Sequence, residues 1–316
     1  MVEKLKNKIK GRLKGQGGFT LIELIIVIGI MGFLIAMIAP RLAGVMGGAS
    51  DTVCDTNQTR LQEVMAVYTE NYDVMPNGLL NLVIKTGALH DAIVPLSNIT
   101  DDGDKGTGLE VFSGDFIDGM NAAYVALTAE EAEELKKMGI SRVHNLNLGT
   151  DIREYNGYRT EGSWNTTTSG LPAVADGGFM DSQDVETGVR VLMYGLDATA
   201  AGDELNQADL YGRIILGVGP DSDLVQDGLI NKAGMCPNAL KRNDFFVYNN
   251  YNIAVPRLQD TVTDRISATL TFTDANNNTT LTAADLKAQE PWQFTTLCPE
   301  GDTIAGTAGD WSVTTP

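Results

Sequence analysis

An unbroken apolar run at residues 19–40, FTLIELIIVIGIMGFLIAMIAP, constrains this chain more than any other feature. At about 1.5 Å per residue, a helix of this length reaches across the ~30 Å apolar core of a bilayer. The preceding 18 residues hold six lysines and arginines against Glu3, a net charge of +5. Since the whole chain carries −18, residues 19–316 carry −23. The positive-inside rule therefore predicts a cytoplasmic head segment and a translocated remainder.

The small residues that suit a processing enzyme lie before the apolar run rather than after it. A secretory signal peptide has a shorter apolar core, which is followed by an Ala-x-Ala-like cleavage site. Here Gly15, Gly17 and Gly18 precede the run. Cleavage at these residues leaves the apolar helix on the mature protein.

Glu23 is the single charged residue within the apolar run. A carboxylate near the centre of a bilayer costs roughly 2.5–3.5 kcal/mol on insertion scales. Two interpretations remain open. Either Glu23 lies near the cytoplasmic interface, solvated or protonated, or it forms an ion pair with the N-terminal amine of a neighbouring subunit. That amine exists only after cleavage between Gly18 and Phe19.

These residues resemble the processing motif of type IV prepilins and of the pseudopilins of type II secretion. The motif is GFTLIE at residues 18–23, with a basic leader before it and an apolar stretch after it. The resemblance implies cleavage after Gly18 by a membrane aspartyl prepilin peptidase, then methylation of the Phe19 amine. It also implies that Glu23 guides the docking of each subunit into a helical filament. It extends to about residue 72 and says little about the rest of the chain.

Residues 19–72 are predicted to form one long helix with an amphipathic second half. Pro40, Gly44, Gly47 and Gly48 weaken its middle, because proline costs a helix interior about 3 kcal/mol and each glycine about 1. A simple kink is one interpretation; the resemblance to pilins favours local melting in the filament. Apolar residues continue at helical spacing and are predicted to pack against a globular head: Leu42, Val45, Met46, Ala49, Val53, Leu61, Val64, Met65, Tyr68 and Tyr72.

Three segments are predicted: a leader at residues 1–18, a transmembrane and assembly helix at 19–72, and a globular head at 73–316. The fold class is α+β, with the long helix packed on an antiparallel sheet, as the resemblance to pilins implies. The head has room for a subdomain near residues 100–185. Its predicted elements are a helix at 128–139 with a Thr128–Glu131 capping box and Gly139 as C-cap, strands at 189–196 and 213–218, a hairpin of 245–249 and 251–255, and a short helix at 282–289.

The head shows no pattern of catalytic residues, so we expect a structural protein rather than an enzyme. His90 and His144 lack ligand spacing, and no glycine-rich phosphate loop follows a strand. The net charge of −18 argues against nucleic acid as a partner, because phosphate binding needs clustered Lys and Arg. Calcium is the one cofactor that the sequence suggests. The acidic loop with Asp221, Asp223 and Asp227 is similar to the calcium loop of the major pseudopilin; a solvated acidic turn is the alternative.

Translocation places the head in an oxidising compartment, where disulfides persist. The chain has three cysteines, Cys54, Cys236 and Cys298, and the last two are each followed by proline. Many pilins close a C-terminal loop with a disulfide, and on that resemblance we predict a Cys236–Cys298 bond. Cys54 is then expected to be a buried thiol on the long helix. Three thiols, or a bridge from Cys54, are the alternatives.

Two classes of function remain. The first is a structural subunit of a type IV pilus-like filament, a single-pass prepilin of the inner membrane that is later assembled at the cell surface. Its partners are the prepilin peptidase, other pilin subunits, the inner-membrane assembly platform and the lipid bilayer. A pseudopilin of a type II secretion system, in a periplasmic pseudopilus, is the alternative within this class. The second class is an anchored periplasmic enzyme or binding protein; Glu23 favours the filament, because a plain anchor has no use for a charge.

Overall fold

The computed structural model describes residues 20–86, 89–91, 120–145, 181–198, 201–219, 221–230, 236, 250–274, 279–299, 301, 303 and 311–315. For residues 38–51, 84–86, 89–91, 181 and 315 it describes the backbone alone. The chain divides into two compact units, Met1–Asp51 and Thr52–Pro316. Residues 52–72 of the long helix therefore belong to the same unit as the head.

The long helix α1 spans Leu21–Tyr72. Its predicted end at residue 72 is confirmed. Asp73 adopts the left-handed backbone conformation (φ 57°) and donates its N–H to the Thr69 carbonyl at 2.9 Å. The backbone is helical through Pro40 and the glycines that follow it, so melting of this region within a filament stays a prediction.

The buried face of residues 52–72 differs from the predicted apolar stripe. Val53 and Tyr72 were expected on that face but are 47% and 53% exposed. Adjacent residues point about 100° apart around a helix, so a face centred on Cys54 turns Val53 outward. The buried residues recur at spacings of four and three, and they include two polar side chains: Cys54, Gln58, Leu61, Met65, Tyr68 and Thr69.

Three more α-helices and fourteen strands follow α1 in the described residues. The helices are α2 (Ala129–Lys137), α3 (Asp223–Gln226) and α4 (Gln259–Asp264). The strands are β1 (Leu79–Asn81), β2 (Ile84–Thr86), β3 (Leu89–Asp91), β4 (Ala123–Ala126), β5 (Arg142–Asn145), β6 (Asp181–Asp184), β7 (Arg190–Met193), β8 (Glu204–Leu205), β9 (Ile214–Gly217), β10 (Asn252–Ala254), β11 (Thr271–Asp274), β12 (Thr280–Thr282), β13 (Thr295–Leu297) and β14 (Trp311–Thr315).

The largest sheet has eight strands, six of which follow the order β13-β10-β9-β1-β5-β6. The other two, β4 and β7, pair with each other. Strand β7 also pairs with Ile214 and Ile215 of β9, next to the two β9 residues that pair with β1. The predicted antiparallel sheet is confirmed for most pairs, but β1 and β5 run parallel. Parallel neighbours need a long crossover, and the chain between these two strands passes through β4 and α2. The sheet is therefore mixed.

The large sheet forms the middle layer of the head. Side chains alternate between the two faces of a strand, and in β9 Ile214 and Leu216 face one core while Ile215 faces the other. The first core contains the buried residues of α1 and of α2. The second core contains Phe272 and Val313, which belong to a four-stranded sheet of order β12-β11-β14-β8.

Several predicted elements are confirmed with shorter bounds. The predicted strands at 213–218 and 189–196 are β9 and β7, and the helix at 128–139 is α2 with its capping box. The C-cap of α2 is Met138, and Gly139 follows it with φ 103°. A Cβ at Gly139 would lie 2.6 Å from the Met75 carbonyl oxygen, so this backbone approach requires glycine.

Two predictions for the second half of the head come out differently. Strand β10 pairs with β9 and β13, while residues 245–249, its predicted hairpin partner, lie outside the described residues. The predicted helix at 282–289 is wrong. Asp285 accepts hydrogen bonds from the Thr282 N–H and hydroxyl, both at 2.8 Å. The Gln289 N–H, which a helix would give to the Asp285 carbonyl, instead donates to the Arg257 carbonyl at 2.9 Å. The Thr282–Asp285 hydrogen bonds close a turn, and the contact with Arg257 prevents that turn from continuing as a helix.

Candidate assembly site on the N-terminal helix

The start of α1 is closed by a capping box. The Thr20 N–H and hydroxyl donate to Glu23 Oε2 at 2.9 and 2.8 Å, and the Glu23 N–H donates to Thr20 Oγ1 at 3.4 Å. This reciprocal pattern satisfies the N–H groups that a helix start leaves without intrahelical partners. Sequence reasoning assigned Glu23 to filament assembly and missed this local role, although Thr-x-x-Glu is a readable signal. Gly18 and Phe19, the predicted processing residues, lie outside the described residues.

Residues 20–37 present an apolar surface on every side of the helix. Each described side chain in this range is exposed. A helix that is apolar all round is found inside a protein core or a membrane. The apolar surface of residues 20–37 is therefore of a kind that is normally covered by lipid or by other protein. The large apolar side chains among them are 46–75% exposed: Leu21, Ile22, Leu24, Ile25, Ile26, Val27, Ile28, Ile30, Met31, Phe33, Leu34, Ile35 and Met37.

Two glycines lie within the same segment. A Cβ added at Gly29 or at Gly32 would meet no atom within 4 Å beyond its own helix turn. Each glycine costs a helix interior about 1 kcal/mol relative to alanine, and no described contact of this segment explains that cost. In the part of the chain that the structure describes, no helix satisfies the length and hydropathy needed to cross a bilayer.

The predicted calcium loop is tied to the end of α1. Asp223 Oδ2 accepts hydrogen bonds from the Asn77 N–H at 3.0 Å and from the Tyr68 hydroxyl at 3.2 Å. Burial and the Asp223 carboxylate raise the pKa of Tyr68 above its ordinary value. Asp221 is half-exposed, with Oδ2 4.0 Å from His144 Nδ1. Among the described residues, no group of three or more acidic, histidine or cysteine side chains is placed to hold a metal ion. Calcium binding by Asp221, Asp223 and Asp227 therefore stays a prediction.

The three cysteines gather at one place, and the predicted Cys236–Cys298 disulfide is not what the structure shows. No disulfide joins any of them, and all three are buried. The Cys236 thiol donates a hydrogen bond to the Cys54 sulfur, with an Sγ–Sγ distance of 2.9 Å. Spacing along the sequence gave no sign of this pair, because it joins the helix to a segment 182 positions later.

A buried ion pair joins α2 to α4. Arg265 Nε and Nη2 donate to the two Glu131 carboxylate oxygens at 2.6 and 2.7 Å, and the Thr261 hydroxyl adds a third bond at 2.8 Å. Glu131 is fully buried. Burial opposes ionisation, but the Arg265 guanidinium and the hydrogen bonds outweigh it and lower the pKa of Glu131 below its ordinary value.

The two helices also cap each other. The Glu134 carboxylate accepts the N–H groups of Gln259 and Asp260, the first two residues of α4, at 2.7 and 3.2 Å. In return Asp260 Oδ2 accepts the hydroxyl of Thr128, the N-cap of α2, at 2.6 Å. Negative groups at helix N-termini are favourable, so this contact fixes one side of the head.

Comparison with known families finds a specific signature near the N-terminus of the chain. The family described as prokaryotic N-terminal methylation motif matches residues 13–39, which include the predicted cleavage site and Glu23. No curated protein and no solved structure gave a significant match. The resemblance predicted from residues 18–23 is therefore confirmed: the chain carries at its N-terminus the signature of type IV pilin-like and pseudopilin-like prepilin proteins.

Proposed function

We propose that this chain is a structural subunit of a type IV pilus-like filament and is not an enzyme. The methylation motif at residues 13–39 carries the proposal, since the proteins it marks are filament subunits. The exposed apolar surface of residues 20–37 supports it independently. A surface of this kind is expected on a subunit whose partners are lipid first and neighbouring helices afterwards.

The proposed life of the subunit has three steps. The chain enters the inner membrane as a prepilin, with the basic leader of residues 1–18 in the cytoplasm; this step depends on the sequence of residues 19–40. A prepilin peptidase then cuts after Gly18, and the new Phe19 amine is methylated. Finally the assembly platform moves the subunit out of the membrane and into a helical filament, through contacts of its N-terminal helix.

The energetics of residues 20–37 favour helix neighbours over water. Fully burying a large apolar side chain gains roughly 1.5–3 kcal/mol, and thirteen such side chains are exposed here. The hydrophobic gain does not distinguish lipid from filament, because both surroundings are apolar. The preference between them depends on packing and polar contacts. Glu23 supplies a polar contact: a carboxylate surrounded by apolar helices is costly alone and is stabilised by a positive partner. The Phe19 amine of an adjacent subunit is the proposed partner.

A pair of substitutions separates this proposed ion pair from the capping role of Glu23. Glu23→Gln keeps a side chain that completes a capping box, since glutamine serves at that position, but it removes the charge. Glu23→Ala removes both. We expect both variants to be inserted and processed, and both to yield few filaments in a shear-and-pellet assay. Normal filament yield from Glu23→Gln together with low yield from Glu23→Ala would mean that capping alone matters, and it would contradict the ion pair.

A pseudopilin of a type II secretion system is the second candidate. The observation that favours it is the acidic loop of Asp221 and Asp223, which lies against Tyr68 near the end of α1 and is similar in sequence to the calcium loop of major pseudopilins. The two candidates differ in location. Fractionation of wild-type cells is expected to recover the mature subunit in sheared surface fibres for a pilin, and only in the cell envelope for a pseudopilin.

A further inference from the structure

Three buried thiols meet between α1 and the head. Cys54 lies on α1, Cys236 comes 182 positions later, and Cys298 directly follows β13. Their exposed fractions are 4%, 0% and 2%. A disulfide brings its two sulfurs to about 2.05 Å, and the Cys54 and Cys236 sulfurs are 2.9 Å apart. Closing that pair needs a movement of only about 1 Å.

The surroundings of Cys54 hold it as a thiol in the folded chain. The hydrogen bond with Cys236 favours the thiolate, but the hydrogen bond with Cys298 and burial outweigh it and raise the pKa of Cys54 to about 12. Gln58 Nε2 lies 3.9 Å from the Cys54 sulfur, and the hydroxyl of the nearby Tyr251 accepts a hydrogen bond from Asn57 Nδ2 at 3.2 Å. Thiol–disulfide exchange needs a thiolate, so exchange at Cys54 is slow once the head has closed over it.

We infer that Cys54 and Cys236 form a disulfide that ties the long helix to the head, while Cys298 keeps its thiol. The geometry of the pair carries the inference. The inference depends on the proposed function in one respect only: export brings the chain to an oxidising compartment, where a disulfide persists. The bond closes a loop of 182 positions, and long loops gain the most from such a link in the chain-entropy model.

The reaction balances with an oxidant of the disulfide class, such as a periplasmic thiol–disulfide oxidoreductase or oxidised glutathione. The thiolate of one cysteine attacks the S–S bond of the oxidant, which forms a mixed disulfide and releases one oxidant thiol. The second cysteine attacks the mixed disulfide, which forms the Cys54–Cys236 bond and releases the other oxidant thiol. Two electrons pass to the oxidant, and the two S–H protons end on its thiols. Because burial excludes the oxidant, the bond forms before the head closes.

The link has a consequence for a subunit under load. Residues 52–72 are held to the head by the side chains of one helical stripe, and the contacts of that stripe are noncovalent. A covalent bond at Cys54, near the start of that stripe, stops the helix from separating from the head. Its neighbour Cys236 lies in the C-terminal third of the chain, so the bond connects distant parts of the fold.

Tryptic mapping of the full-length chain tests the pairing, because trypsin puts each cysteine on a separate peptide. Cys54 falls on residues 42–60, Cys236 on 233–241 and Cys298 on 288–316. The chain is taken from membranes of its cells, and a second sample is refolded with oxidised glutathione; both are alkylated without reductant. We expect 42–60 linked to 233–241, and an alkylated Cys298. A link between 233–241 and 288–316, or three alkylated cysteines in the refolded sample, would overturn the inference.

Matched variants separate the link from ordinary packing. Reduction is expected to lower the melting temperature of the wild-type chain by roughly 5–15 °C. Cys298→Ser should keep both the link and this sensitivity, and Cys54→Ser should lose both. Equal sensitivity in Cys54→Ser would contradict the pairing. A link that forms on refolding but is missing from the cellular sample supports the pairing and counts against export, hence against the proposed function.

Discussion

Residues 20–37 and residues 52–72 belong to the same helix, yet they present different surfaces. Every described side chain of the first segment is exposed, whereas the second has a buried stripe that includes Leu61 and Met65. The first segment is apolar on all sides; in the second, apolar residues alternate with polar ones. A striped helix needs one apolar surface, which the sheet of the head provides. A helix apolar all round needs partners on all sides, which a single head does not provide.

The difference shows that the pattern around the helix axis, more than helix propensity, decides what each part of α1 contacts. Both parts are helical, and even Pro40 does not interrupt the assigned helix between them. The second part completes the core of its own chain. In the proposed filament, the first part packs against neighbouring subunits, and its single charge, Glu23, aligns it with them. Substitutions that affect one part and not the other test this division.

The largest effect is expected within the head, at the ion pair between Glu131 and Arg265. Glu131→Gln keeps the shape of the side chain but leaves the Arg265 charge without its partner carboxylate, and breaking a buried pair in this way costs about 3–5 kcal/mol. Denaturant unfolding of the full-length chain in detergent measures the loss. The leader should still be removed normally, because the proposed cleavage site precedes α1 and lies far along the chain from Glu131.

The pH dependence of the same variant provides a control. The folded-state pKa of Glu131 is lowered, so its contribution is fully present above the unfolded pKa, near 4.3, and is lost as the pH falls through the folded pKa. We expect part of the acid-induced loss of stability to be missing in Glu131→Gln. Identical pH profiles for the two proteins would contradict the assigned ionic role.

Two substitutions on α1, two residues apart, test the buried stripe directly. Met65 is fully buried, while Val67 is 47% exposed. Met65→Ala should cost about 2–5 kcal/mol of unfolding free energy, since it leaves a cavity under the sheet. Val67→Ala should change stability by no more than about 0.5 kcal/mol. Similar costs for the two variants would mean that residues 52–72 do not pack as described.

A smaller effect is expected where the acidic loop meets the end of α1. Asp223→Ala removes the acceptor of two hydrogen bonds and should cost about 1–3 kcal/mol, while Tyr68→Phe removes one of them and should cost about 0.5–1.5. Both changes are measured by denaturant unfolding without added calcium. A larger loss from Tyr68→Phe than from Asp223→Ala would contradict the arrangement around Asp223.

The same variants carry the test for calcium. If the loop binds calcium after rearrangement, millimolar calcium raises the melting temperature of the wild-type chain by mass action. The double variant with Asp221→Ala and Asp223→Ala then shows no rise. An unchanged melting temperature in the wild-type chain would contradict calcium binding and leave Asp223 as a structural hydrogen-bond acceptor.

Local signals in the sequence predicted much of the fold. The end of α1 at Tyr72, the capping box of α2 and strand β9 are each encoded by a few neighbouring residues. The processing motif is equally local, which is why six residues were enough to identify the prepilin signature. Local signals fail where a distant contact competes: Thr282 and Asp285 form their hydrogen bonds, but the Gln289 N–H binds the Arg257 carbonyl, and a turn results instead of a helix.

The contacts that the sequence did not reveal join distant positions. Asp223 binds Tyr68 and Asn77 across 155 and 146 positions, and Cys236 meets Cys54 across 182. The parallel pairing of β1 with β5 is of the same kind. Register between distant strands and the rotation of a helix about its axis depend on the packed fold. Helical spacing therefore placed Val53 on the buried face, whereas packing turns it outward.

The N-terminus of the assembled subunit is the most direct test of the central claim. Sheared or envelope-derived filaments are purified, and the intact mass and N-terminal peptide of the subunit are measured by mass spectrometry. We expect a chain that begins at Phe19 with a methylated amine, and we expect Gly18→Glu to block cleavage and leave the precursor in the membrane fraction. A subunit that begins at Met1 in assembled filaments would contradict this expectation.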